Sequence, residues 1–486
     1  MKKRCVALLL CMAMTITMAA CGQSTDKKTD AQDTADVRKD AEKQEEDDAV
    51  MELESIIIHG YEWGPAVDQI VVKPKEMPEQ LHTEDYVITT AGMNRAITDV
   101  FVSDEKGNAD ENGKYLTYQM TVANHVGTPF VLDTSEVAMG MNKWAQKFVV
   151  NLSVAEGKSI TVNGETLRGT IDEEDMIEHR ISPETDIFEK TTVAGYETGK
   201  KKGEKLTIQQ AAYAPGALKK DGKKNPLIIW LHGLSEGGND IDLDLLGNEV
   251  TALTRDEIQQ QFTTEGGNNG IYVLAFQSPT YWMQAADGST FDGSADSIYR
   301  DVLTKGIRDY VKKNEDVDPS RIYIGGCSNG GYMTMNLLVH DEDNFFAAAY
   351  PVCEAYADQS LSEEEIASLA KKNIWFVQSA NDAVVKPNEY GEKTYHRLLA
   401  AGAQNCWYSM YEKVLGTDAE GKSYNGHWSW INVFNNKVTK AQEPSVIKDS
   451  MDTKTYGFVP NNDGGGTVSP QGYATLFAWM NAQTNQ

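Results

Sequence analysis

The chain has little that would hold it together covalently or draw it to a polyanion. Six cysteines in 486 residues are too few for a disulfide scaffold, and none stands in a C-x-x-C pair of the kind that builds a structural zinc site. Basic residues number 45 against 72 acidic, a formal net charge of −27. That balance argues against binding by neutralisation of phosphates, so no nucleic acid partner is expected. Long hydrophobic runs are also missing after the first 20 residues, and the run found there, Val6 to Ala20, is too short to span a bilayer. What remains is a length that exceeds one ordinary hydrophobic core and calls for more than one folded unit.

The N-terminus separates from the rest. Met1-Lys2-Lys3-Arg4 is basic, the following run is apolar apart from Thr15 and Thr17, and Ala19-Ala20 precede Cys21, which reads as an export signal over residues 1–20. Met18-Ala19-Ala20-Cys21 is similar to a bacterial lipobox. That resemblance implies lipidation of Cys21 and a membrane partner through the anchor, on the outer face of a bacterial membrane. Residues 21–50 carry ten acidic and five basic side chains with almost no large apolar ones, the composition of a chain that cannot bury a core. A tether is expected there.

Residues 51–185 are short alternating runs split by turn residues. Ser55-Ile56-Ile57-Ile58, Asp68 to Val72, Tyr115 to Val122 and Ser159 to Val162 are punctuated by Gly107-Asn108, Asn112-Gly113 and Asn163-Gly164. Period-2 segments with such turns predict an all-β sandwich. From residue 186 to 486 near-continuous apolar runs alternate with helical stretches: Pro226 to Leu231, Ile271 to Phe276, Arg321 to Gly325, Phe346 to Tyr350 and Asn373 to Val377. Parallel strands covered on both faces read this way, and an α/β sheet with its site at the carboxyl strand ends is expected. Helices are expected over Ser297 to Lys313 and Glu389 to Ala401, and a closing one over Gln471 to Gln483.

One strand end carries the chemistry. Ile322 to Gly325 leads into Gly326-Cys327-Ser328-Asn329-Gly330 and then a helical segment, the setting a nucleophile elbow requires. Glycines flank the serine because strand and helix meet at a turn with no room for Cβ atoms. Ser328 is the expected nucleophile, and the amide of Asn329 would face a developing oxyanion. A second G-x-S-x-G, Gly233 to Gly237, opens no helix. It fits an oxyanion loop with the Leu234 amide as donor better than it fits Ser235 as nucleophile.

A serine hydroxyl needs a base, and the base needs a carboxylate. His340 and His396 sit in helical patterns and are expected on helix surfaces. His427 sits in the loop Tyr424 to Trp430 after the last expected strand, Cys406 to Tyr411, where a base would face the elbow. Asp382 follows the strand after the elbow unit; Asp358 is the alternative, and an Asx-turn is the structural explanation for Asp382. The order Ser328, Asp382, His427 is that of α/β-hydrolases.

On these residues, with Trp230-Leu231-His232-Gly233 and Gly426-His427-Trp428, residues 187–430 resemble a carboxylesterase of the α/β-hydrolase superfamily. The likeness is to the polyhydroxybutyrate-depolymerase-like and feruloyl-esterase-like group, in which several members carry an immunoglobulin-like domain before the hydrolase. The resemblance implies a triad of Ser328, Asp382 and His427 with Leu234 and Asn329 at the oxyanion, no metal and no cofactor, and an ester of a small molecule or oligosaccharide as substrate. Trp282, Trp428 and Trp430 offer flat apolar surface for it. Residues 431–470 intervene before the closing helix and depart from the group's pattern. A peptidase of the same fold and a non-catalytic surface-binding lipoprotein are the alternatives.

Overall fold

The computed structural model describes residues 51–485, apart from 136–139, 163–164, 168–169, 174, 197–204, 287–292, 419–420, 444–457 and 459. The expected export signal over 1–20 and the expected tether over 21–50, with Cys21, lie outside the described residues. Two compact units are present. The first comprises His59 and the residues before it, Ala66–Phe130 and Trp144–Pro183; the second comprises Gly60–Pro65, Val131–Lys143 and Glu184 onward.

The first unit is all-β. A five-stranded sheet holds Met51–Tyr61, Gly64–Pro74, Tyr115–Met120, Ile97–Ser103 and the short Arg180–Ile181. A four-stranded sheet holds Tyr86–Thr90, Met93–Arg95, Val150–Val154 and Thr170–Glu173. Side chains such as Ile56, Ile58, Ile70, Val72, Leu116, Tyr118, Ile88 and Leu152 are buried, as expected of inner faces of an immunoglobulin-like sandwich. Among them lies Arg95, whose guanidinium donates to Thr90 Oγ1, Val67 O and Thr121 O, so its charge is buried with partners.

The second unit is built on an eight-stranded sheet: β1 (Glu189–Tyr196), β2 (Lys205–Tyr213), β3 (Asn225–Leu231), β4 (Tyr272–Gln277), β5 (Val317–Cys327), β6 (Ala348–Val352), β7 (Ile374–Ser379) and β8 (Cys406–Tyr411). Their spatial order is β1-β2-β4-β3-β5-β6-β7-β8. The first two pairings are antiparallel and the rest parallel. Strands β3, β4, β6 and β7 are buried at every position, which explains why they are apolar without alternation. This is the α/β-hydrolase fold, preceded by the β sandwich.

Helices α1 (Arg300–Lys313), α2 (Asn329–Val339), α3 (Glu363–Leu369), α4 (Gly391–Ala400) and α5 (Leu476–Asn481) are among those that surround the sheet. The expected closing helix is shorter than its pattern, because Gln471 and Gly472 adopt φ of 51° and 80° and the helix restarts after Thr475, whose side chain caps Ala478 N. The described parts of residues 431–470 lie along the edge strand β8. Gln442 N donates to Tyr408 O, Glu412 N to Asn461 O, and Ser409 Oγ to Lys440 O. They satisfy an edge that would otherwise be open to pairing with another chain.

Candidate active site

Ser328 stands between β5 and α2 with φ 55° and ψ −110°, a left-handed φ that a serine adopts only when its surroundings impose it. The imposing contacts are visible. Ser328 N donates to Val352 O at the end of β6, and Ser328 O accepts from Tyr332 N in the first turn of α2. A Cβ on Gly330 would meet Leu231 O at 1.9 Å, and one on Gly326 would meet the same oxygen at 2.5 Å. The end of β3 therefore packs directly against the turn, and only glycine fits.

Asp382 follows β7 with its side chain fully buried. Its Oδ1 accepts from the amides of Val384 and Val385, each at 2.9 Å. Its Oδ2 accepts from His427 Nδ1 at 2.8 Å. The Asx-turn and the partnership with histidine thus coexist: one oxygen is spent on the loop and the other faces the imidazole. His427 comes from the loop after β8, its backbone N held by Asn425 Oδ1 at 3.0 Å, and Gly426 packs so closely on Asn381 that a Cβ there would clash at 2.3 Å. Burial disfavours the charged imidazole, but Cys353 and Asp382 beside it outweigh burial and hold it well above the ordinary histidine range.

Other expected residues divide. Leu234 opens a short 3-10 turn, Leu234–Glu236, beyond β3, and Asn329 is the first residue of α2, with its side-chain oxygen accepting from Trp282 N. Of the two candidate serines only Ser328 has positive φ. Asp358 is committed elsewhere: it accepts from Arg397 Nη1 at 3.1 Å and Thr394 Oγ1 at 3.2 Å. His340 closes α2, where its Nδ1 lies 2.8 Å from Asn336 O. His396, expected on a helix surface, is instead buried at 3% exposure among Tyr395 and Phe458, because α4 packs under a segment the helical pattern alone does not reveal.

Trp282 corrects a second expectation. It is 0% exposed, its ring 4.9 Å from that of His232, so it belongs to the core and offers no surface to a substrate. Trp430 is also buried, inside the short helix Trp430–Phe434. Trp428 is half-buried and stacks on Tyr424 at 5.9 Å. A described cavity of about 320 Å³ borders β1 and α1, lined among others by Glu189, Val193, Lys305 and Tyr310, and includes none of the expected site residues.

Two buried groups at the site escape a reading by motif. Cys353, just past β6 with φ 37°, brings its thiol against His427 and Asp382. Burial pushes that thiol up. Glu236, in the turn after Leu234, is pushed up to about 7 by burial, and the fully buried Asp244 beside it is likewise held well above the usual carboxylate range by burial. The signal for both was present, since each follows an apolar strand at its carboxyl end.

Comparison with known proteins agrees with this architecture. Residues 54–173 match the family described as the Esterase Ig-like N-terminal domain, and residues 296–368 match the Prolyl oligopeptidase family. Among curated proteins no match was found. A solved structure titled as a thermostable esterase shares 20% identity over 80% of this chain and 96% of its own, with a TM-score of 0.60. A ferulic acid esterase (13% identity, 51% of this chain and 95% of its own, TM-score 0.36) is similar over a shorter stretch, and at that score adds nothing to the assignment. The same holds for an acylaminoacyl peptidase of Pyrococcus horikoshii, at 14% identity over 72% of this chain and 65% of its own, with a TM-score of 0.33. The match to the Prolyl oligopeptidase family, together with the fold shared with the thermostable esterase, supports a serine hydrolase. In particular, the second unit has the α/β-hydrolase fold, and the residues before it match the immunoglobulin-like domain described at the N-terminus of esterases.

Proposed function

We propose that the protein is a serine carboxylesterase that works through Ser328, His427 and Asp382. The observation that carries this reading is the 2.8 Å bond between His427 Nδ1 and Asp382 Oδ2 at two neighbouring strand ends, in a unit whose elbow holds Ser328 at a strained φ. In the proposed cycle His427 takes the Ser328 proton through its other nitrogen as Oγ attacks the ester carbonyl. The amides of Leu234 and Asn329 receive the oxyanion, the alcohol leaves with the proton from His427, and water repeats the sequence on the acyl-enzyme. Asp382 keeps the imidazole in the tautomer that leaves this nitrogen free to accept. None of these steps requires a cofactor.

Of the three aromatic residues considered for substrate, Trp428 alone retains exposed surface, and it is the one assigned to a small acyl or feruloyl ester of a carbohydrate. The chain is taken to act outside the cell, anchored through Cys21. The second reading, a peptidase, is favoured by the match of residues 296–368 to the Prolyl oligopeptidase family. Turnover of p-nitrophenyl acetate by the wild type, abolished in Ser328→Ala, supports the esterase. Hydrolysis of peptide amides with no ester turnover would transfer the assignment to the peptidase, and ester turnover surviving Ser328→Ala would remove the nucleophile from Ser328.

A further inference from the structure

The carboxyl ends of β6, β7 and the loop after β8 bring three different metal-ligating side chains to one place. One ligand atom each of Cys353, Asp382 and His427 lies within 4.8 Å of the other two. The acyl-transfer cycle uses two of these residues and has no task for the thiol. Cys353 is nonetheless fixed there: its backbone N donates to Val377 O at 2.9 Å, its φ is 37°, and its side chain is fully buried and free of any disulfide. Asp382 is equally fixed, because two backbone amides hold Oδ1 and leave only Oδ2 to face inward.

We propose that this trio is a site for a thiophilic divalent cation, zinc or cadmium, and that its occupation switches the hydrolase off. A thiolate, an imidazole and a carboxylate form a ligand set suited to zinc, with bonds of roughly 2.0–2.3 Å. Ligand atoms sharing one tetrahedral ion at those bond lengths lie about 3.4–3.7 Å apart. His427 Nδ1 and Asp382 Oδ2, now 2.8 Å apart, must open by less than an ångström to admit an ion between them, exchanging their mutual hydrogen bond for bonds to the cation. The thiol, within 4.8 Å of both, closes on it, and both movements are within reach of small side-chain rotations. Three protein ligands leave one coordination position open, the pattern of an exchangeable ion. On binding, the Cys353 thiol releases its proton to solvent and becomes a thiolate.

Inhibition follows from the imidazole, and this half of the inference rests on His427 being the base. A neutral imidazole has one nitrogen lone pair, and its other nitrogen carries the proton. Whichever nitrogen the cation takes, none remains to accept the Ser328 proton. Occupation also removes the Asp382 oxygen from its task of orienting the ring.

The test separates binding from inhibition. Cadmium is titrated into the full chain carrying Ser328→Ala, and the near-ultraviolet thiolate-to-metal absorption is followed with and without Cys353→Ala or Cys353→Ser. A saturable band of one equivalent that depends on Cys353, and that weakens at least tenfold in affinity with His427→Ala, is expected. In parallel, zinc inhibition of ester turnover is measured for the wild type and Cys353→Ala, each relative to its own metal-free rate. The half-inhibiting zinc concentration should rise at least tenfold without the thiol. An absorption unaffected by Cys353→Ala, or equal zinc sensitivity in both proteins, overturns the site. Cadmium bound through Cys353 and His427 with no loss of ester turnover overturns the inhibitory half, and with it His427 as the proton acceptor.

Discussion

Replacing Asp382 with asparagine removes the charge that faces His427 Nδ1 while nearly preserving the shape of the loop. The Asp382 side chain is fully buried and His427 is 12% exposed, so water replaces little of what is lost. A hydrogen bond to a charged partner contributes about 1.5–3 kcal/mol. At about 1.36 kcal/mol per pKa unit, its removal lowers the imidazole by roughly 1–2 units. The sign is fixed by the two opposing influences on the ring: burial disfavours the cation, and the neighbouring Asp382 and Cys353 hold it above the ordinary histidine range. With the carboxylate gone, burial has one opponent fewer. The acidic limb of kcat/KM against pH, which follows deprotonation of the base, should therefore lie above about 6.5 in the wild type and move to lower pH in Asp382→Asn. The plateau should fall by about 10⁴, since the amide no longer selects the tautomer that accepts from serine. The assay is p-nitrophenyl acetate hydrolysis from pH 5 to 10. An acidic limb that stays in place, or a plateau within tenfold of the wild type, would refute the assignment of Asp382.

Further outcomes test the packing around the site. Gly330→Ala places a Cβ 1.9 Å from Leu231 O, a backbone atom that no rotamer can move, so β3 or the elbow must shift by more than an ångström. A loss of about 1–3 kcal/mol in stability and about 100-fold in kcat/KM is expected by urea melts and ester kinetics. Trp282→Ala should cost about 3–5 kcal/mol of stability, whereas a change in ester preference with an unchanged melt would return Trp282 to the substrate surface. Glu236 has a folded pKa of about 7, above its unfolded value, so its contribution to stability is present below about pH 4.5 and is lost as pH rises through 7. Glu236→Gln should therefore raise the melting temperature at pH 8 more than at pH 5, and thermal melts at the two pH values decide it. Lys372 and Asp341 form a buried pair at 2.8 Å, and Lys372→Met leaves the buried carboxylate with only the amides of Phe345 and Phe346, so a loss of about 3 kcal/mol is expected in urea melts.

The amino-acid pattern alone determined the class of each region, β strands first and a covered parallel sheet after them. Apolar runs long enough to be strands and too continuous to be half-exposed imply a covered parallel sheet, and a G-x-S-x-G turn between strand and helix implies an elbow, because these are local consequences of backbone sterics and periodicity. Candidates for base and carboxylate were legible for the same reason, as each follows a strand. What pattern could not supply was which side chains meet. The loop setting singled out His427 from His340 and His396, but the contact itself comes from the sheet order, with β6, β7 and β8 side by side, which brings His427 to Asp382 and leaves Asp358 bound to Arg397. Burial was likewise a tertiary decision. A tryptophan beside a strand end reads the same whether it faces a substrate or a core, and Trp282 faces the core because the elbow and His232 close over it. The thiol of Cys353 carries the point furthest. Its position after an apolar strand was plain, but its meeting with His427 joins residues 74 positions apart, a proximity set by the parallel packing of consecutive strands and by no local signal in the chain.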